Sequence, residues 1–573
     1  MPAAASAQDA VRGQREARFA EPVAGPRPVV ALNHLGFLPK AQKTFLYRLT
    51  GAQTPTEFAV REIGFALKPV QLTLPLRKVA GDFGEHLVGD FSQLEHEGLY
   101  VASAGGERSV PFFVRRDAWR RALPKAVSYH HAQRCGVAVP NFHPVCHLDD
   151  AIRRDNGQYV DLTGGWHDAG DLRKWMDVTM LSAHGLLRVA QNLGAGWNLA
   201  GSGLTPLLEE VRWGNRYFRK MQDSGGVVWA DVGGGPGNTD NRWTDNQIGS
   251  GDERQVNVSK LGHVQPIFVV LQALVSQVFH ESDPAYGKEC LDAGRRCWDG
   301  NRQEGDTLAL SWWVLAALEL HRATGSDTYK SAAQSLAREL ISRQNTEFVG
   351  DQKMIRGFWR AAADRSTPYT QRVYSALPPL ALMELAIAFP DNPDAGRWRD
   401  AVRLHLEEYV APLCGRSVYR IIPYGVFLDP KGPDQYRPLA GGMAYRYFVP
   451  AGNDGWGIGL TSQLECYAVL MARAADAFRN RAYRDLAYRQ LEWVMGANPF
   501  GACLMSGEGS RNPFPYSVFV GLIPGGVMNG ISGNRQDEPV LNFESGSDWR
   551  TNEYWSPHNA YWEWAVSLLE KDA

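Results

Sequence analysis

Leu162–Met176 reads LTGGWHDAGDLRKWM. Two glycines and a tryptophan lead into His167, Asp168 and Asp171. Surface carboxylates need no such framing. An Asp-x-x-Asp pair behind a glycine turn supplies a general base and a second carboxylate to hold the water that the base activates. The competing reading is structural, with Asp168 capping a helix that begins near Asp171.

A third acid stands near the far end of the chain. Glu553 lies in SDWRTNEYWSPHNAYWEW, Ser547–Trp564. Its neighbours Tyr554 and Trp555 are bulky and aromatic. They would desolvate a carboxyl and raise its pKa, so that it donates a proton where Asp171 accepts one. Read without its partners, Glu553 is an ordinary surface acid.

The bulk properties narrow the class. The chain has 573 residues, 44% hydrophobic and 21% charged, enough for more than one domain and a sizeable core. A formal net charge of −2 gives no reason to expect nucleic acid or an anionic membrane as partner. No apolar run is long enough to span a bilayer. The 18 Trp and 21 Tyr supply flat faces on which sugar rings pack, although most are expected in the core. The opening MPAAASAQDA resembles the small-residue end of a secretory signal, which points to a secreted or periplasmic chain.

Texture divides the sequence into three. Residues 1–27, rich in Ala, Arg, Gly and Pro, are expected to be disordered. Residues 28–116 carry short alternating runs, Phe45/Tyr47/Leu49 and Val110/Phe112/Val114, which predict a small all-β sandwich. Residues 117–573 are mainly α. Leu308, Trp312, Leu315 and Leu318 fall at helical spacing, with Thr307 as N-cap and Gly325 beyond the end. Further helices are expected near 177–194, 204–222, 260–280, 327–343, 378–389, 394–410, 458–478, 480–495 and 558–570. Long loops rich in Gly, Pro and Trp join them, among them VGGGPGNTDNRW, Val232–Trp243. Many helices joined by elaborate loops predict a helical toroid with the site at one end.

Seven cysteines, odd in number and scattered, do not make a disulfide framework. Cys135, Cys146, His147 and His167 nevertheless have the donor types of a closed tetrahedral Zn²⁺ site. Spacing alone favours a Cys135–Cys146 disulfide instead.

GGWHDAGD and DWRTNE…NA resemble the two signatures of glycoside hydrolase family 9. ALNHLGFLP (31–39), GDF (89–91) and GLY (98–100) look like the immunoglobulin-like domain of one branch of that family. QRCG (133–136), CH (146–147), GANPFG (496–501) and IPGG (523–526) look like landmarks of its catalytic domain. The resemblance covers nearly the whole chain after residue 28. It implies an (α/α)6 barrel behind an immunoglobulin-like sandwich. It also implies inverting hydrolysis of β-1,4-linked glucan or a related β-glycan, with Asp171 as base, Asp168 as its partner and Glu553 as acid. It turns the reading of Cys135, Cys146, His147 and His167 from disulfide to structural zinc. It adds calcium without placing its ligands. Trp243, which the resemblance places on a site loop, and Tyr516, Trp555 and His558 are expected against the sugar, in a chain expected to act as a monomer.

Two departures bear on substrate. Where the family carries a Pro-His-His-Arg-like stretch, this chain reads RNPFPYSV (511–518). Where it often has a Tyr five positions after the acid, this chain has His558. Both changes fall beside the scissile bond, where hydrogen bonds to hydroxyls set specificity. An exo-acting β-glucosidase or β-glucosaminidase is therefore an alternative, and a non-catalytic glycan-binding protein a third.

Overall fold

The computed structural model describes residues 27–571, apart from 52–53, 65–68, 195–196, 198–205, 236–238, 304, 350–354, 440–441, 453–456, 518–520 and 545. The expectation of disorder over 1–27 falls, save for Arg27, outside the described residues.

Residues 30–114 form an all-β unit. Its strands are β1 (Val30–Ala31), β2 (Thr44–Arg48), β3 (Glu57–Glu62), β4 (Gln71–Gly81), β5 (Gly84–Asp90), β6 (Gly98–Ala104), β7 (Glu107–Arg108) and β8 (Phe112–Val114). The long β4 serves both layers. Gln71–Pro75 pair antiparallel with β3, and Leu76–Gly81 with β5. Changing partner at Pro75 folds one ribbon of strands into a sandwich. Between the layers, the Phe37, Phe91 and Phe112 rings meet at centroid distances of 5.2–5.6 Å. Phe112 and Val114 are buried while Phe113 points out, as the alternation predicts. In β2 the alternation fails, because Phe45, Leu46 and Tyr47 are all buried. The outer face of β2 is covered by the helical domain, and Leu35 and Leu46 join that domain's apolar core.

Twelve long helices follow among the described residues. They are α1 (Leu123–Ala132), α2 (Met176–Leu193), α3 (Leu207–Lys220), α4 (Val264–Phe279), α5 (Pro284–Asn301), α6 (Thr307–Thr324), α7 (Asp327–Ser342), α8 (Leu377–Ala388), α9 (Ala395–His405), α10 (Thr461–Phe478), α11 (Arg481–Val494) and α12 (Ser556–Leu569). Helices α2, α4, α6, α8, α10 and α12 touch in that order, and α12 closes back on α2. Each of the six also packs against one of the other helices outside it. This is the (α/α)6 barrel.

Sequence chemistry separates the two rings. Every residue of α6 from Thr307 to Leu320 is buried, as a helix walled in on all sides requires. Outer α7 buries only Ala333, Ala337 and Leu340, a one-sided stripe. Helices α1 and α5 were not anticipated. Helix α5 is polar and carries glycines, and Gly287 lets its backbone approach Ser276 of α4 where a Cβ would lie 3.2 Å from the Ser276 carbonyl oxygen. The N-cap of α6 is Asp306, whose side chain accepts from Ala309 N–H, rather than Thr307; Gly325 ends it in the left-handed conformation, as expected.

The sandwich is anchored through the tip of the β4–β5 hairpin. Asp82 accepts hydrogen bonds from the Tyr445 and Tyr447 hydroxyls at 2.7 and 2.9 Å. The Phe83 ring sits among Tyr419, Tyr447, Phe448 and Trp493.

Candidate active site

The LTGGWHDAGD stretch is a loop leading into α2, and it builds no helix at Asp171. The capping alternative for Asp168 is therefore not realised. Instead its carboxylate accepts from Trp175 N–H (Oδ1, 3.1 Å) and from the Trp555 indole N–H (Oδ2, 3.2 Å). Asp171 accepts from Arg173 N–H (Oδ1, 3.1 Å) and from the Asn241 amide (Oδ2, 2.9 Å). Four donors thus fix two carboxylates, and among the described residues no counter-charge forms an ion pair with either.

Backbone pairing brings the distant acid to this turn. Ala169 bridges Trp555, and Tyr516 bridges Glu553. Ser556 donates both its N–H and its hydroxyl to the Asp168 carbonyl, at 2.8 and 2.9 Å. Gly170 has to be glycine here, because a Cβ would lie 2.3 Å from the Tyr516 carbonyl oxygen. Glu553 is only half-buried at its surface, so it is not the exposed acid of the alternative reading.

The three carboxyls are all raised, and the charge of Asp171 contributes to the shifts of the other two. Burial, then the charges of Asp171 and Asp168, holds Glu553 well above the usual carboxylate range. Burial, then Asp171, raises Asp168 well above its ordinary value. Burial raises Asp171 too, opposed by the Arg173 N–H, the Arg173 charge and the Asn241 amide. The group therefore retains a proton at a pH where isolated carboxyls are ionised, the condition for an acid and a base to coexist.

Of the residues expected against sugar, Tyr516 and Trp555 border the acids. The Arg372 guanidinium lies 4.6 Å above the Trp555 ring. Trp243 stacks on His147, with centroids 5.8 Å apart and planes at 3°, and remains half-exposed. His558 departs from expectation. It is fully buried, with Nε2 2.8 Å from Asn529 Oδ1, and burial lowers its pKa well below the ordinary value. Asn529 in turn donates its backbone N–H to the Glu553 carbonyl at 2.8 Å. His558 thus supports the acid's backbone instead of facing sugar. Arg511 donates Nε–H to the Phe500 carbonyl at 3.0 Å.

Three neighbours were not anticipated. Asn241 sits in the quoted Trp243 loop, and its pairing with Asp171 was the signal available there. Arg372 carried none. Asp177, at the start of α2, lies 3.2 Å from His263 and adds a fourth negative charge that raises Asp168.

Cys135, Cys146, His147 and His167 are all buried, and one donor atom from each lies within 4.8 Å of the others. All seven cysteines are free, so the disulfide favoured by spacing is absent. Cys135 Sγ is 3.5 Å from His147 Nδ1, and Cys146 Sγ is 3.9 Å from His167 Nε2. His147 Nε2 faces the Arg242 carbonyl at 2.9 Å, which fixes its proton there and leaves Nδ1 as a lone pair toward the sulfur. Burial opposes ionisation of Cys135, but Cys146, Lys174 and His167 outweigh it and pull the thiol well below its usual pKa. Two sulfurs and two imidazoles converging in this way fit a tetrahedral metal ion. Below the turn, Asp150 is buried between Arg254 (2.6 Å) and Lys174 (2.7 Å). Arg254 also donates to the Leu172 carbonyl, next to Asp171.

Residues 119–516 match the family model described as glycosyl hydrolase family 9. A cellodextrinase of Butyrivibrio fibrisolvens is 26% identical over 44% of this chain and 51% of its own. The match thus spans about half the length of that relative. A cellulose 1,4-beta-cellobiosidase of Acetivibrio thermocellus is 21% identical over 97% of this chain and 69% of its own. The solved Zn-binding triple mutant of endoglucanase J30 superposes with a TM-score of 0.69 at 22% identity, covering 94% of this chain and all of that one.

Proposed function

The chain belongs to glycosyl hydrolase family 9, and from this premise we propose that it is an inverting hydrolase of β-1,4-linked glucan or a closely related β-glycan. The observation that carries the proposal is the convergence of Asp168, Asp171 and Glu553 on one turn, where Asp171 raises the proton affinity of Asp168, and both aspartates raise that of Glu553. Asp171 takes a proton from water as the water oxygen bonds to the anomeric carbon. Glu553 gives its proton to the departing glycosidic oxygen as the C–O bond breaks. Asp168 orients the water through the lone pairs that Trp175 and Trp555 leave open. Tyr516, Trp555 and Trp243 flank the sugar. The names of the relatives, cellodextrinase and cellobiosidase, support a glucan substrate.

In this reading Cys135, Cys146, His147 and His167 hold a structural Zn²⁺. The ion neutralises the thiolates and fixes the loop whose His167 adjoins Asp168. The unit over 28–116 is a supporting immunoglobulin-like domain, and 117–573 is the catalytic domain. The chain acts as a monomer in the secreted or periplasmic space, where polymeric glycans are met. No described helix is long and apolar enough to cross a membrane.

Asp177 favours a second reading, an exo-acting β-glucosaminidase, because a further carboxylate beside Asp168 suits a sugar bearing an ammonium group. Product analysis on cello-oligosaccharides, cellulose and chitosan oligosaccharides separates the two. Proton NMR in the first minutes should show the α-anomer from a β-linked substrate, and an initial β-product would overturn the inverting mechanism.

A further inference from the structure

A cavity of about 300 Å³ lies in the seam between the sandwich and the barrel. The sandwich contributes Gln42, Thr44 and Arg77 to its lining, and the barrel contributes Tyr419, Arg420 and Arg489. The lining holds three arginines against one carboxylate, Glu492. Arg489 is engaged within the wall. It donates to Thr44 Oγ1 at 2.7 Å and pairs with Glu492 at 2.6 Å. Arg77 and Arg420 both reach solvent, and neither guanidinium forms a hydrogen bond or ion pair among the described residues. Arg420 also keeps a left-handed backbone, φ 54°, which residues with a side chain rarely adopt. Its N–H donates to the Ser417 carbonyl at 3.1 Å, and its carbonyl accepts from the Gln490 amide at 3.0 Å. A non-glycine residue held there by its surroundings points to a role for its side chain. Further positive charge reaches the same wall. Arg48 gives its guanidinium to the Arg27 and Pro28 carbonyls, at 3.0 and 3.4 Å, and not to an acid. The charges of Arg27 and Arg48 favour ionisation of the Tyr419 hydroxyl against the larger effect of burial. The other acid nearby, Asp485, lies 3.9 Å from Arg481 and feels Arg489, Arg420 and Arg484 as well.

We propose that the seam cavity binds the carboxylate of a sugar acid, a hexuronate, with Arg77 and Arg420 as its anion clamp. A guanidinium fork matches a planar carboxylate through two parallel hydrogen bonds. Uncompensated positive charge around a concave wall raises the local concentration of anions. Gln42 and Thr44 offer polar atoms to hydroxyls, and Val79 and Val88 offer apolar surface to the C–H face of a ring. The volume stands at the lower limit of ligand pockets, which suits one sugar ring and not a polymer segment. The walls are preformed. Asp82 N–H donates to the Arg416 carbonyl at 2.8 Å, and a Cβ on Gly81 would lie 2.5 Å from that oxygen. This close approach ties the strand that carries Arg77 to the loop that carries Arg420. A bound hexuronate bridges the two domains, so it stabilises their docking as any ligand of the folded state does. The site is separate from the three acids of the hydrolytic turn.

The test uses the full-length protein and sodium glucuronate, with glucose and inorganic phosphate compared at equal ionic strength. Binding is read by calorimetry and by melting temperature. A parallel series contains excess cellobiose, to occupy the proposed active site. The expected result is one equivalent of glucuronate bound, a raised melting temperature and no effect of cellobiose. Glucose, which has the ring without the charge, should give no response, and phosphate, which has the charge without the ring, a smaller one. Arg77→Gln with Arg420→Gln should weaken glucuronate binding about tenfold or more, since both forks are lost. Should the double variant fold poorly, Arg77→Gln alone, at an exposed strand position, should weaken binding about threefold or more. Absence of glucuronate binding by the parent, an equal response to glucose or to phosphate, displacement by cellobiose, or variants that bind as the parent does would each overturn the proposal. None of these readouts depends on hydrolysis, so they stand or fall apart from the activity assigned to the chain.

Discussion

Asn241 grips Asp171 and the next residue, Leu172, together. Its amide nitrogen donates to Asp171 Oδ2 at 2.9 Å, and its carbonyl accepts from Leu172 N–H at 2.9 Å. The donor lowers the proton affinity of Asp171 against the effect of burial. Asn241→Ala should therefore reduce kcat about tenfold or more, with a smaller change in KM, and move the acid limb of the pH profile upward. Asn241→Gln should recover little, since its longer side chain misplaces both bonds. An unchanged pH profile with altered KM alone would show that Asn241 contacts sugar instead.

Asp171→Asn and Glu553→Gln should each lower turnover by several orders of magnitude while circular dichroism and melting stay near those of the parent. Each change removes a proton-transfer group and keeps its shape. Asp168→Asn should also be severe. Near-normal turnover by Asp171→Asn on any glycan would displace it as the base.

The pH dependence follows from the direction of the shifts. Activity needs Asp171 ionised and Glu553 protonated. Burial raises Asp171 above the ordinary aspartate value of 3.8. Burial and two like charges raise Glu553 well above 4.5. The kcat/KM profile should be a bell whose alkaline limb belongs to Glu553 and whose acid limb lies above that of a free aspartate. Since the carboxyls interact, the two limbs report the group and not single residues. A rate that stays flat through the range where Glu553 should lose its proton would remove it as the acid.

Asp150 should dominate the stability of the turn. Burial opposes its charge, but Arg254 and Lys174 lower its pKa to about 2. The folded value lies below the ordinary 3.8, so this contribution is present above pH 3.8 and is lost as pH falls toward about 2. Asp150→Asn leaves two buried cations without a partner and should cost about 3–5 kcal/mol in denaturant unfolding. A loss under about 1 kcal/mol would mean that the cations find other compensation.

Protein prepared without added metal should contain one Zn²⁺ per chain. Cys135→Ser should lower the melting temperature more than it lowers kcat, because metal binding contributes folding free energy. A Cys135–Cys146 disulfide found by mass spectrometry, with no zinc, would refute the assignment.

Periodicity was sufficient for α6 and α11, where apolar spacing coincides with a polar N-cap, Asp306 and Asn480. It failed for α1, a short helix that begins Leu-Pro and carries two histidines, and for α5, which is polar and interrupted by glycines. It also mistook β2 for a half-exposed strand, since the surface that covers Leu46 comes from the distant helical domain. At the site the acids were legible because glycine and aromatic framing is local. Asn241 and Arg372 were not, for their roles arise only when loops separated by many residues meet. His558 was misplaced because its neighbourhood by sequence is the acid, whereas in space it lies behind that acid, against Asn529.

The hairpin tip at Asp82 and Phe83 bears on how the chain is made. Its hydroxyl partners Tyr445 and Tyr447 lie 363 and 365 residues downstream. At about 5–20 residues per second, synthesis delivers them roughly 20–70 s after the tip itself has left the ribosome. Through that interval the sandwich carries an aromatic side chain and a carboxylate whose seat does not yet exist. Nascent chains arrested at different lengths should therefore bind holdase chaperones through this tip, and release them once Tyr447 and then Trp493 have emerged.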